Sequence, residues 1–270
     1  MDYKMKKPKI SVIMPVYNAQ RFLKESLDSV LNQTFRNFEL IVINDCSTDN
    51  SLKILKEYKE KDNRIKIIEN KENIGPAGSR NRGLKKSKGK YIAIFDSDDV
   101  CMEKRFEIQY NYLENNSEIY LIGSSAIFID ESGKTIATYR KFNNSNIIRW
   151  RLPKSCGLVH SSVMFRNTKE ANYNIKSKYA HDYNLYLDLL SKGKKITNLS
   201  KFLVKYRISP NSISVSKNKE QEEFRDKIIK RYSYLNEKIS IIRKIYYSSW
   251  LLLFYIRTFL EKRGLLEWKE

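Results

Sequence analysis

Cysteine, glycine and proline are all scarce in this sequence. Its 270 residues include three cysteines, nine glycines and five prolines. Cys46, Cys101 and Cys156 are odd in number and show no CxxC spacing, so neither a disulfide framework nor a zinc site is expected. With 41% hydrophobic residues, the chain is also unlike collagen-like, low-complexity or disordered sequences. The composition therefore predicts a packed globular protein.

Long apolar runs are missing as well. The longest such stretch near the end, residues 250–256, is well below the roughly 20 residues that span a bilayer. The first ten residues lead into the short run 10–15, which has the wrong length and flanks for a signal peptide. We therefore expect a protein of the reducing cytosol that is neither secreted by a recognisable signal nor integral to a membrane.

Positive charge is abundant. The chain has 51 Lys and Arg residues against 31 Asp and Glu residues, a formal net charge of +20. Such a balance fits contact with nucleic acid, with an anionic membrane surface or with phosphate-bearing substrates. Codon bias toward lysine, isoleucine and asparagine is a further explanation, so the charge alone does not choose among these partners.

The first half of the chain alternates short β-branched runs with helical patterns. Strands are predicted at residues 10–14, 38–43, 65–68 and 91–95. The intervening helices cover residues 22–31, a segment capped by Thr48 or Asp49, and residues 79–86. This order is typical of βαβ units with a mostly parallel sheet. After about residue 117 the pattern predicts strands at 120–129 and 135–139, a helix at 182–191, and two short strands at 196–199 and 203–207.

The last fifth of the chain has a different pattern. Over residues 224–260, apolar residues recur three or four positions apart, and lysines and arginines fill the positions between them. Such a basic amphipathic region can lie on an anionic membrane, or its apolar stripe can pack on the rest of the chain or on a second copy. We therefore divide the chain into residues 1–116, 117–214 and a helical extension, 215–270.

Acidic residues follow two of the predicted strands. Asp45 comes after the second strand, and Asp96, Asp98 and Asp99 come after the fourth. Ligands of open α/β sheets bind at the carboxyl ends of the strands, and neighbouring carboxylates favour a shared divalent cation. The cluster could also cap a helix starting near Glu103, so the DxD tripeptide alone does not establish a metal site.

Five motifs in order raise the specificity of this pattern. They are SVIMPVYN (11–18), SVLNQT (29–34), ELIVINDCSTD (39–49), NIGPAGSRNRG (73–83) and DSDD (96–99). In sequence and spacing they resemble glycosyltransferase family 2 over residues 8–100. The similarity continues more loosely to residue 214 through HSSVMFR (160–166), HDYNL (181–185) and YRISPNSIS (206–214).

The resemblance implies an α/β GT-A (Rossmann-like) fold, with a mixed, mostly parallel sheet flanked by helices, that binds a nucleotide-sugar, usually a UDP-sugar, in its first half. Pro15 and Tyr17 match the wall of the nucleoside pocket, and Asp45 matches the carboxylate that accepts the uracil N–H. Arg80 matches a partner that holds the nucleotide, and Asp96 matches the ribose-side acid. The simpler alternatives are that Asp45 caps the next helix and that Arg80 forms a surface ion pair.

The resemblance also implies an inverting transfer that uses Mg²⁺ or Mn²⁺ bound by Asp98. Asp182 matches the general base, which in the family commonly follows a glutamate, whereas His181 stands there in this chain. His160 and His181 are candidate contacts on the acceptor side, although either could have a purely structural role. Ser209 replaces a histidine that relatives often carry, so we expect Arg207 to be the residue that contacts the diphosphate.

The expected function is transfer of a hexose or N-acetylhexosamine from a UDP-sugar to a hydroxyl of a lipid-linked or surface glycan at the cytosolic face of the membrane. The alternatives are a dTDP- or GDP-sugar donor, and a catalytically silent interaction module on the same fold. A nicotinamide-dependent dehydrogenase is excluded because no GxGxxG follows the first strand. Nucleic acid is not an expected partner, since the acidic pocket would have no role in binding it. The C-terminal helices are a possible dimer contact.

Overall fold

A computed structural model of the chain describes residues 7–140, 144–154, 156–168, 170–177, 179–210 and 218–235. The strands are β1 (Ile10–Val16), β2 (Phe38–Asn44), β3 (Ile65–Glu69), β4 (Tyr91–Ile94), β5 (Val100–Cys101), β6 (Ile119–Ile129), β7 (Thr135–Tyr139), β8 (Met164–Arg166) and β9 (Lys195–Arg207). The helices are α1 (Leu23–Leu31), α2 (Ser51–Lys61), α3 (Gly75–Lys86), α4 (Arg105–Asn115), α5 (Ser145–Arg151), α6 (His181–Ser191) and α7 (Asn218–Arg231).

The strands form one mixed sheet in the order β3-β2-β1-β4-β8-β6-β9-β5, with β7 paired to β6. The first half is parallel, because β1 pairs with β2 and β4, and β2 pairs with β3, in the same direction. Strand β8 then joins β4 and β6 in the antiparallel direction, while β6 and β9 run parallel to each other. The predicted mixed α/β sheet flanked by helices is confirmed.

Alternate residues of the central strands supply two cores, one on each face of the sheet. In β1, Ile13 packs in one core, and Val12 and Met14 pack in the other. All three side chains are inaccessible to solvent. A parallel strand covered by helices on both faces must be apolar on both faces, which explains its unbroken apolar run. The parallel pairing of β1 with β2 and β4 then places the carboxyl ends of these three strands at one edge of the sheet.

Helix α3 begins four residues before the predicted start at Ser79. Gly75 has a φ of 72°, a backbone conformation that favours glycine, and Pro76 occupies the first turn, where its missing N–H costs nothing. At Gly83, an added Cβ would come within 2.7 Å of a methyl carbon of Ile13. The glycine-rich segment is therefore the beginning of a helix packed tightly on β1.

Three further details of the sequence prediction are wrong. Helix α2 has Asn50 at its N-cap position, one residue after the predicted Asp49, although Oδ1 of Asp49 still accepts from the backbone N–H of Ser51 over 2.9 Å. The two short strands predicted at 196–199 and 203–207 are one strand, β9, whose register against β6 shifts near its middle. A helix does follow the acidic cluster, but it begins at Arg105 and has Lys104 at its N-cap position, without a side-chain cap.

Helix α7 packs on the sheet domain. Ile228 of α7, together with Tyr232 and Leu235 just after the helix, is buried in the same core as residues of α6. This part of the basic region therefore uses its apolar stripe inside the protein. Residues 215–217 and 236–270 of the predicted extension lie outside the described residues, as do residues 211–214 at the end of the preceding segment. Within the described ranges, none of the helices combines the length and apolar character needed to cross a bilayer.

Candidate active site

The carboxyl ends of β1, β2 and β4 bring the predicted donor-side residues to one edge of the sheet. Pro15 lies in β1, Asp45 directly follows β2, and Asp96 follows β4 by two residues. Tyr17, just beyond β1, is 53% exposed at this edge. The parallel register pairs Pro15 with Ile43, so the loops that follow β1 and β2 begin next to each other.

The loop after β1 is tied to the loop after β2. The backbone N–H of Asn18 donates to Oγ of Ser47 over 3.1 Å, and that of Gln20 donates to Oδ2 of Asp49 over 3.0 Å. Asp49 therefore helps to hold the loop that carries Tyr17. This is a role for the Asp49 side chain beyond the helix cap predicted from the sequence.

Asp45 is buried and holds the start of α3. Its Oδ1 accepts hydrogen bonds from Nδ2 of Asn70 (2.6 Å) and from the backbone N–H of Ile74 (3.0 Å), the residue just before the helix. It does not cap α2, the next helix along the chain. Its second oxygen, Oδ2, has no hydrogen-bond partner within the described ranges. One oxygen is thus structural, and the other can accept a hydrogen bond from a ligand.

Arg80 connects the two halves of the site. Its Nη2 lies 2.5 Å from Oδ1 of Asp96, and its Nη1 lies 2.7 Å from Nε2 of His181. Burial alone would lower the pKa of Arg80, but Asp96 more than compensates and the pKa is raised. Because the residue is only 5% exposed, the surface ion pair considered from the sequence is excluded.

Asp96 is held on both oxygens. Arg80 binds Oδ1, and Oγ of Ser161 donates to Oδ2 over 3.0 Å. Burial raises the pKa of Asp96, but the nearby Arg80 and His160 outweigh it and keep the pKa below its ordinary value. Asp96 is therefore ionised at neutral pH and fixed in direction.

Asp98 and Asp99 lie in a different electrostatic environment. Burial, and then the charge of Asp96, raise the pKa of Asp98 to about 6. Burial and Asp98 raise the pKa of Asp99 as well, and its Oδ2 is buried without a hydrogen-bond partner in the described part of the chain. Two carboxylates that resist ionisation so close together are what a bound cation would stabilise. No group of three or more metal-ligating side chains occurs among the described residues.

Arg207 holds the turn that carries Asp98 and Asp99. Its backbone N–H donates to Oδ1 of Asp99 over 2.8 Å, and its Nε donates to the carbonyl of Asp98 over 2.8 Å. The remaining guanidinium nitrogens bind the carboxylate of Glu25 and the carbonyl of Asp130. This buried side chain is thus committed to protein partners, and its diphosphate contact stays a prediction that the geometry does not favour.

The acceptor-side candidates gather where α6 begins. His160 is buried, with Nδ1 2.6 Å from the hydroxyl of Tyr186 and Nε2 3.0 Å from the hydroxyl of Tyr173. Burial and the charge of Arg80 lower the pKa of His160 to about 3. The structural role considered from the sequence therefore fits His160 well, because both of its nitrogens are engaged.

Asp182 occupies the first turn of α6, next to His181. Ala180, at the N-cap position, has a φ of 50°, an uncommon backbone conformation for alanine. Burial raises the pKa of Asp182, but His160 and His181 outweigh it and the pKa is lowered. Asp182 is therefore an ionised carboxylate beside the Arg80 to Asp96 pair.

Tyr173 and Ser161 were missed from the sequence. Tyr173 is fully buried, and its ring lies 5.6 Å from the guanidinium carbon of Arg80. Asn81 fixes this segment by accepting from the backbone N–H of Tyr173 and donating to its carbonyl, over 2.8 and 2.7 Å. The only signal was that Asn81 and Ser161 fall inside the motifs NIGPAGSRNRG and HSSVMFR.

A separate groove of about 550 Å³ opens at the amino ends of β2 and β3, away from the acidic cluster. Half of its lining is basic, with Lys7, Arg36, Arg64, Lys66 and Lys88 among the residues that form it. Part of the positive charge of the protein is therefore remote from the predicted donor site.

Comparison with known proteins agrees with this geometry. The model of "Glycosyl transferase family 2" matches residues 11–172. An uncharacterised glycosyltransferase of Methanocaldococcus jannaschii is 34% identical, with 93% of this chain and 87% of that protein covered. The Escherichia coli UDP-Glc:alpha-D-GlcNAc-diphosphoundecaprenol beta-1,3-glucosyltransferase WfgD is also 34% identical, with 78% of this chain and 81% of that protein covered.

Solved structures share the fold. TarS of S. aureus in complex with UDP-GlcNAc superposes with a TM-score of 0.64 at 22% identity, covering 76% of this chain and 60% of that one. The mannosyltransferase PcManGT of Pyrobaculum calidifontis, in complex with GDP-Man and Mn2+, gives a TM-score of 0.58 at 15% identity, covering 76% of this chain and 59% of that one. This chain thus spans about three fifths of these solved chains. It belongs to glycosyltransferase family 2 and is a glycosyltransferase with a GT-A-like fold.

Proposed function

We propose that this protein transfers a hexose or N-acetylhexosamine from a UDP-sugar to a hydroxyl of a glycan acceptor, with inversion at the anomeric carbon and with metal assistance. The observation that carries the proposal is the double contact of Arg80. One guanidinium binds Asp96, on the donor side, and His181, which directly precedes Asp182. This contact brings a nucleotide-binding edge and an ionised carboxylate into one site.

The donor half is suited to a uridine nucleotide. Pro15 and Tyr17 lie at the same edge of the sheet as Asp45, whose free oxygen can accept the N–H of a uracil ring. Asp96, fixed by Arg80 and Ser161, is the candidate acceptor for a ribose hydroxyl. The printed names of WfgD and of the TarS complex contain a UDP-sugar, which supports the same donor class here.

The acidic turn fits a hard divalent cation. Mg²⁺ and Mn²⁺ are commonly held by one or two carboxylates together with substrate phosphates, so a cluster of three protein ligands is not required. Asp98 would be the ligand. Burial and the charge of Asp96 raise the pKa of its carboxyl, and a bound cation would offset both effects. Such an ion acts as a Lewis acid and offsets the charge that develops on the leaving diphosphate.

Asp182 is the proposed general base. It takes the proton of the acceptor hydroxyl while that oxygen forms its bond to the anomeric carbon and the bond to the diphosphate oxygen breaks. The start of α6 and the positive charge of Arg80 favour its ionised form, so the base is ready at neutral pH. Attack from the side opposite the leaving group inverts the configuration.

The acceptor that we propose is a lipid-linked or surface glycan reached at the cytosolic face of the membrane. WfgD acts on a diphosphoundecaprenol-linked sugar according to its name, and the basic amphipathic stretch up to residue 260 could meet anionic lipid. The membrane part is tested by flotation of the full chain with vesicles containing phosphatidylglycerol. No association with these vesicles would contradict it. Sedimentation in the same buffer tests the dimer expected through the C-terminal helices.

A donor panel tests the catalytic part. UDP-, dTDP- and GDP-sugars are incubated with Mg²⁺ or Mn²⁺, and nucleotide release is measured. We expect release from a UDP-sugar that depends on the metal ion. Release from a dTDP- or GDP-sugar alone would correct the nucleotide assignment. Binding without release from any donor, even with crude glycolipid acceptors, would instead favour a catalytically silent module.

A further inference from the structure

Arg80 fixes the protonation pattern of His181. A guanidinium offers only hydrogen-bond donors, so Nε2 of His181, 2.7 Å from Nη1 of Arg80, must be the acceptor. Burial and the charge of Arg80 also lower the pKa of His181 to about 4, so the ring is neutral at pH 7. A neutral imidazole carries one N–H. In His181 this hydrogen is therefore on Nδ1.

That Nδ1–H has nothing to bind in the protein. The atom is buried and lacks a hydrogen-bond partner among the described residues, and the same is true of Nε of Arg80. A buried donor that stays unpaired costs free energy, so paired partners are the rule inside proteins. Two such donors on two joined side chains indicate that a ligand with several oxygen atoms completes the site.

The position of His181 indicates which oxygens these are. Its Nε2 faces Arg80 and, through it, Asp96, so Nδ1 points to another side of the ring. Asp182 is the next residue in the same helical turn. If Asp182 is the base, the anomeric carbon lies beside this turn, and the sugar that carries that carbon offers its hydroxyl oxygens there.

Resting on the proposed function, we propose that the Nδ1–H of His181 donates a hydrogen bond to a hydroxyl oxygen of the donor's sugar, so that His181 contributes to the choice of sugar. Arg80 acts as a positioning residue in this account because it fixes the tautomer. A glutamate at this position would accept from Arg80 equally well but would have no N–H to offer.

The ring nitrogens can be observed directly, because the chain has only two histidines. In a ¹⁵N-histidine-labelled protein, His160→Gln assigns the remaining signals to His181. With Mg²⁺ present, we expect the Nδ1 signal to move on saturation with at least one of UDP-glucose, UDP-galactose and UDP-N-acetylglucosamine, and to move much less with UDP. An Nδ1 signal that is unmoved by a bound UDP-sugar, or that moves equally with UDP, would overturn the inference.

Two variants measure the same contact by calorimetry. His181→Glu keeps an acceptor for Arg80 and removes the N–H, whereas His181→Gln keeps both. We expect the ratio of the UDP-sugar Kd to the UDP Kd to rise about fivefold in His181→Glu and to stay within about twofold in His181→Gln. A wild-type ratio in His181→Glu contradicts the inference. If no nucleotide-sugar binds the wild-type protein, the proposed function itself fails, and this inference fails with it.

Discussion

Nη1 of Arg80 lies 2.7 Å from Nε2 of His181, although 101 residues separate them in the chain. The contact joins α3, in the first half of the sheet domain, to the start of α6, in the second half. Arg80 also binds Asp96. Its buried guanidinium therefore lies between Asp96, predicted to bind the nucleotide, and the helical turn of Asp182, predicted to take up a proton.

Replacing Asp182 by Asn should remove transfer and leave nucleotide binding intact. The amide keeps the size of the side chain but cannot take the acceptor proton, so we expect nucleotide release to fall by about 10²–10⁴-fold. Calorimetry should give a Kd for UDP within about twofold of wild type. Asp188→Asn is the matched control, because Asp188 lies on the same helix in a surface ion pair with Lys192. Wild-type turnover in Asp182→Asn would refute the base assignment.

Arg80→Met should destabilise the protein and weaken UDP-sugar binding together. It leaves Asp96 without its main counter-charge, and breaking one side of a buried ion pair costs about 3 kcal/mol. Urea unfolding at neutral pH measures the loss in the free energy of unfolding. Lys85→Met, an exposed change on the same helix, should stay within about 0.5 kcal/mol of wild type. Equal stability of the two variants would show that the pair does not stabilise the fold.

The pH dependence of stability should reveal the buried state of His160. Its pKa is about 3 in the folded protein and about 6.5 in an unfolded chain, so below pH 6.5 only the unfolded state takes up the proton. Stability is therefore lost as the pH falls, by about 1.4 kcal/mol per unit. His160→Gln, which can still donate and accept, lacks this loss. Between pH 7 and pH 5, wild type should lose about 2 kcal/mol more than the variant in urea unfolding. Parallel losses would mean that His160 is accessible to protons.

Ile228→Ala should destabilise the sheet domain, because Ile228 is 5% exposed in the core that it shares with α6. Truncating such a side chain costs about 2–4 kcal/mol. Lys230→Ala, an exposed change on the same helix, should cost less than about 0.5 kcal/mol. The measurement is the urea midpoint of each full-length variant. An unchanged midpoint in Ile228→Ala would show that α7 folds independently of the domain.

Local patterns predicted most of the first half of the fold. Buried parallel strands need unbroken apolar runs, and the helices between them need a 3.6-residue period, so β1, β2 and α1 could be identified from residues close in sequence. Strand β8, with three residues, and β5, with two, have no such periodicity. These two short strands form because β4, β6 and β9 supply hydrogen-bond partners for them. Such pairing depends on the assembled sheet and not on the local sequence.

The sequence by itself determined the family, the α/β class and the identities of Asp45, Arg80, Asp96 and Asp182 as candidates, because these depend on motifs and on strand order. Only the tertiary structure decided their partners. Asp45 turned out to hold the start of α3, Arg207 to bind the acidic turn, and Arg80 to fix His181. The reason is physical: a hydrogen bond needs donor and acceptor within about 3 Å, and folding rather than sequence spacing sets that distance for residues a hundred positions apart.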